Sequence, residues 1–105
     1  MEIKHKIWLE KEGRVIFGPG RIELLRAIDA FGNLSAAARK LNMSYRAAWG
    51  RLRASEKRLG MRLVDLSDNK HEMRLTEEAR KLIDCFDEME KNISVVTDTY
   101  LNKIP

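Results

Sequence analysis

Arg46, Gly50, Arg53 and Lys57 follow one another at intervals of four, three and four residues, with Arg51 and Arg58 interleaved. On an α-helix that spacing stacks the first four on one side, because residues three and four apart share a face. A guanidinium offers a planar fork of N–H donors that matches two acceptors at once, on a phosphate or on the edge of a guanine. The chemistry open to such a face is recognition of an acceptor-rich polyanion, with no bond made or broken. The face holds no acid, whereas a solvated helix face usually mixes signs. Its centre is a glycine, which costs about 1 kcal/mol relative to alanine inside a helix and makes sense where something bulky comes close. Arg46 and Arg53 are the candidates for base edges, and Arg51, Lys57 and Arg58 for flanking phosphates.

Tyr45 and Trp49 lie on the flank of that face. Two readings of Tyr45 stay open: its hydroxyl meets a phosphate or base edge beside the helix N-terminus, where anions are favoured, or its ring packs inward. For Trp49 packing is the expectation. Catalytic chemistry finds no support, since no nucleotide loop, zinc spacing or nucleophile constellation occurs. His5 and His71 lack companion ligands, and the methionines at 43, 61, 73 and 89 read as packing. Cys85 is the only cysteine, excludes an intrachain disulfide, and reads as an inert thiol in a reducing cytoplasm. Neither an enzyme, a cofactor, a metal nor a small-molecule effector is expected.

Elements must hold the basic face in place. Ser44 is suited to cap a helix that ends at Gly60, and Ala48, Leu52, Ser55 and Leu59 form its inward seam, within about 60° of one another. Ser35 caps a shorter helix that stops near Asn42. Two helices with a connection of three or four residues spell a helix-turn-helix, and Ala37, Ala38 and Ala48 let them cross closely. Upstream, residues 5–17 read as a β-hairpin around Glu12-Gly13, with Ile7 and Leu9 alternating on one arm and Val15 and Phe17 on the other. Residues 21–31 carry a helical stripe of Ile22, Leu25 and Ile28. Downstream, residues 63–66 and 73–75 form the arms of a second hairpin, a wing. Thr76 then caps a last helix that has Glu77 and Glu78 in its first turn. Along that helix Leu82, Phe86, Met89, Ile93, Val96 and Tyr100 keep a spacing of four and three, the seam of a helix that packs against another helix.

The charge distribution agrees. Of 105 residues, 36–62 hold eight Lys/Arg against one Asp/Glu, whereas 63–105 hold six against ten. The middle quarter therefore contains the whole basic excess, as a phosphate-facing surface would. No apolar run approaches the roughly 20 residues of a membrane span, and no signal peptide is read, so no membrane partner and a cytoplasmic location are expected.

The stretch GPGRIELLRAIDAFGNLSAAARKLNMSYRAAW resembles the DNA-binding domain of molybdate-responsive ModE-type transcriptional regulators, with SYRAAW its most specific element. IWLEKEGRVIFGPG resembles that family's N-terminal strand pair, and LGMRLVDL with RLTEEARKLI the region around its wing. The AA-x-x-L and RLT elements carry a weaker likeness to LysR-type winged helices. The ModE resemblance implies double-stranded DNA as partner. Two departures limit what the resemblance carries over, namely minor-groove insertion by the wing and molybdate sensing. The wing tip SDNKHE lacks glycine, so that Lys70 and Arg74 are left to touch phosphate while Asp68 and Glu72 oppose them. The oxyanion-binding module that such regulators append is not expected here.

The expected fold is mainly α with small β: a winged helix-turn-helix with an N-terminal β-hairpin and a long C-terminal helix. Residues 1–76 form the core (hairpin 5–17, helix-turn-helix 35–60, wing 62–75), and residues 77–105 a dimerisation helix. The expected function is sequence-specific binding of double-stranded DNA by a homodimeric transcriptional regulator, through Ser44, Tyr45, Arg46, Gly50, Arg51, Arg53, Lys57, Lys70 and Arg74. The alternatives are a winged-helix protein-interaction module and a subunit that senses molybdate or tungstate through a dimer interface or a separate partner.

Overall fold

A computed structural model describes residues 1–66 and 72–105. The chain opens with β1 (Leu9–Lys11) and β2 (Arg14–Phe17), antiparallel around Glu12 and Gly13. Both turn residues have positive φ, 54° and 79°, the geometry a two-residue hairpin demands and glycine tolerates best. The register breaks beyond Glu10↔Val15, because Leu9 pairs with Phe17 and leaves Ile16 as an extra residue. This bulge overturns the expected alternation of Val15 with Phe17. Val15 faces out, while Phe17 is fully buried.

Helix α1 (Pro19–Phe31) starts with proline in its first turn and buries Ile22, Leu24, Leu25, Ala27 and Ile28. Helix α2 (Leu34–Lys40) is capped by Asn33, whose side chain accepts from the Ala36 N–H at 2.8 Å. Ser35, the expected cap, instead stands exposed in the first turn, because Leu34 is already helical and buried. After Asn42, in the left-handed region at φ 54°, Ser44 caps α3 (Tyr45–Leu59) by accepting from the Ala47 N–H at 3.0 Å. Ala37, Ala38 and Ala48 are buried where α2 and α3 meet.

Strands β3 (Val64–Leu66) and β4 (Met73–Leu75) pair antiparallel, with Asp65 opposite Arg74. The Met73 N–H donates to the Gly32 carbonyl at 2.8 Å, which seats this wing on the end of α1. Thr76 caps α4 (Glu77–Leu101) and also donates its hydroxyl to the Arg62 carbonyl at 2.8 Å. Pairs Arg26–Asp87 and Arg80–Asp29 tie α4 to α1, and His5 meets Glu90 at 2.6 Å. No helix among the described residues is long and apolar enough to cross a membrane.

Helix α4 is part core and part projection. Ala79, Ile83 and Phe86 are buried, and Phe86 meets Phe17 edge to face at 5.5 Å between ring centres. Leu82 packs partly on the same cluster. Phe86, expected at a dimer interface, therefore belongs to the domain's own core, and a division at residue 76 cuts through that core. Beyond it Met89, Val95, Val96 and Tyr100 are exposed and Ile93 half-buried. The helix projects far enough to give the molecule extents of 57 × 30 × 24 Å.

Candidate nucleic-acid interface

Helix α3 buries Ala48, Leu52 and Ser55 and turns Arg46, Gly50, Arg53 and Lys57 outward. Ser55 satisfies its hydroxyl on the Arg51 carbonyl at 2.8 Å, so a serine fits in the seam without an orphaned donor. A Cβ added at Gly50 would meet nothing within 4 Å, so the glycine opens the surface and relieves no internal crowding. Among the described residues Arg46, Arg51 and Lys57 have no carboxylate partner.

Arg53 departs from the acid-free reading. Its Nη1 donates to Glu56 Oε1 at 3.0 Å, and its guanidinium lies 4.5 Å from the centre of the Trp49 ring. Glu56 sits on the flank of the helix, so a census of the outward positions alone overlooks it. The other Glu56 oxygen accepts from the Leu63 N–H at 2.8 Å, and the residue is buried. It closes the chain's return from α3 into β3. Arg53 is thus half-exposed and held, with part of its donor fork already engaged.

Trp49 packs half-buried against the core, as expected, and the Arg53 stack uses its outer face. Tyr45 is 54% exposed, which removes the inward-packing alternative for its ring. The two rings face β3 and β4 across a concavity of about 530 Å³ that Leu66 and Met73 also line. In the wing, Arg74 is exposed and paired with Glu72 at 3.6 Å, so the expected opposition by Glu72 takes the form of an ion pair. Lys70 lies outside the described residues.

The helix pair, its wing and the exposed basic helix form one arrangement. The family model described as bacterial regulatory helix-turn-helix protein, lysR family, matches residues 20–80, more than half of the chain. The chain belongs to the LysR family. That match corrects the ModE-type resemblance: the weaker likeness, carried by Ala37-Ala38, Leu41 and the RLT at Arg74 to Thr76, is the one that holds. The chain is a LysR-type winged helix-turn-helix DNA-binding domain, and its family consists of regulators and not enzymes.

Solved structures share the fold. The CbnR DNA-binding domain in complex with DNA has a TM-score of 0.61 at 20% identity, over 80% of this chain and 94% of that one. Full-length LysG from Corynebacterium glutamicum has 0.60 at 23%, over 84% of this chain and 31% of that one. A further LysR family transcriptional regulator has 0.58 at 24%, over 75% of this chain. The chain spans only 26% of that regulator's length. No curated protein matches the chain.

Proposed function

We propose that α3 lies in the major groove of a DNA duplex and reads sequence there, as half of a homodimeric cytoplasmic regulator. The observation that carries this reading is the exposed Arg46–Gly50–Lys57 face, cationic, open at its centre and without a carboxylate partner among the described residues. Arg46 is the principal base reader. Arg53, steered by Trp49 and Glu56, presents its remaining N–H edge in a fixed direction, at low entropic cost per bond formed. Arg51 and Lys57 neutralise flanking phosphates. Ser44 and Tyr45 stand at the N-terminus of α3, where backbone donors and the helix dipole favour a phosphate. Arg74 contributes less, because Glu72 competes for it. The CbnR domain was solved with DNA, which supports the same partner for a chain of similar fold.

The dimer rests on the outer part of α4. Met89, Val96 and Tyr100, with Ile93 beside them, leave an apolar side on a helix that projects from the core. A two-fold pair would place two α3 helices on a palindromic site. The experiment is selection of bound duplexes from a random DNA pool, followed by affinity measurement across salt concentrations. The expected result is a pool converging on inverted repeats, bound with an affinity that falls steeply as salt rises. A pool that stays random, with little duplex affinity at low salt, overturns the reading and favours a protein partner for the basic face.

A further inference from the structure

We propose that Arg21, Arg51 and Arg58, with Lys6 on the N-terminal arm, form a backbone-phosphate clamp that extends the duplex contact from α3 onto the start of α1. The inference rests on the duplex-reading assignment and adds to it a second contact, outside the groove. Arg51 and Arg58 lie seven residues apart on one side of α3, about 10 Å along the axis and turned away from Arg46. Arg21 is the third residue of α1. Arg21, Arg58 and Lys6 line one open concavity of about 350 Å³, walled by Trp8 and by the Gly18–Pro19–Gly20 start of α1. No acid lines it. A neighbouring concavity continues the surface through Arg58, Lys11 and Arg14, with one acid, Glu12, also lining it.

None of the three arginines has a carboxylate partner among the described residues. Arg26, Arg53, Arg62, Arg74 and Arg80 each meet an acid, whereas Arg14, Arg39 and Arg46, like the clamp arginines, meet none among the described residues. Burial, followed by the charges of Arg51 and Arg58, pushes the Arg21 guanidinium below the usual arginine range. A lowered pKa on a cation means that its charge weighs against the folded state at every pH below that value. The cost is therefore constant over the neutral range, where arginine stays charged, and an incoming anion relieves it. A row of duplex phosphates fits better than a small free anion. The arginines are spread along two elements, the concavity is open, and Arg51 and Arg58 share a helix with the groove-facing residues.

The test is binding of the full chain to a selected duplex and to a scrambled one, by fluorescence anisotropy over a salt series, with Arg21→Gln/Arg58→Gln. Arg58→Gln alone, at an exposed position, serves as the variant whose folding is not in question. The clamp predicts equal affinity losses on both duplexes and a slope of log K against log salt that is shallower by about 0.9 for each phosphate contact removed. Arg21→Lys/Arg58→Lys restores the slope. An unchanged slope in both Gln variants overturns the clamp, as does a loss confined to the selected duplex. Stabilisation of the wild type by inorganic phosphate, with the duplex slope unaffected, would mark a free-anion site and overturn it too. A wild type without duplex affinity would instead bring down the duplex-reading assignment itself, so the two failures are distinguishable.

Discussion

Gly50 is where folding and binding pull in opposite directions. It lies mid-helix, exposed, with open space where a Cβ would stand. Gly50→Ala should therefore stabilise the free chain by about 1 kcal/mol, raising Tm by several degrees in thermal melting. On the proposed docking of α3 the same methyl group would meet the groove floor, so affinity for the selected duplex should fall at unchanged salt slope. A variant that is more stable and binds equally well would show that nothing comes close at this position. The outward placement of Arg46, Gly50 and Lys57 was legible because a single helical period fixes it. The hold of Glu56 on Leu63 was not, because it depends on where the chain turns after Gly60, and no local spacing encodes that. The proximity of Arg21 to the charges of Arg51 and Arg58 was not legible either, for a similar reason: it comes from tertiary packing between α1 and α3 and from no local spacing.

At the level of elements, periodicity located both hairpins, the helix pair and the long last helix, and failed where one extra residue changes a face. The bulge at Ile16 is such a case, since it turns Phe17 inward and Val15 outward without any glycine or proline to announce it. The cap of α2 is another: Asn33 and Ser35 are both good N-caps two residues apart, and burial of Leu34 decides between them. In α4 the unbroken heptad spacing concealed a change of partner. Phe86 serves the domain's own core, and the exposed stretch begins after it. Thr97 and Thr99 return their hydroxyls to the Ser94 and Val95 carbonyls, so each hydroxyl is satisfied within the helix itself. If this end pairs with a second copy, Val96→Asp should shift the chain to monomer in sedimentation while leaving its melting cooperative. A wild type already monomeric at high concentration would remove the interface.

Over the whole molecule the charge is sorted by task. The acidic excess of residues 63–105 lies largely on α4, and the basic excess of 36–62 on α3 and its surroundings. Short motifs could not separate two kinds of winged helix, because an alanine pair at a helix crossing and a threonine cap meet the same physical need in each. The lysR-family model, which matches residues 20–80, decides between them. On the proposed function, Arg46 contacts a base from the exposed side of α3. A double-mutant cycle tests it most directly: Arg46→Ala on the protein against 7-deazaguanine at each guanine of the selected half-site, read as duplex affinity. A coupling of about 1–3 kcal/mol at one guanine is predicted, with none at its neighbours. Losses that simply add at every guanine would contradict a bidentate reading of the groove by this arginine.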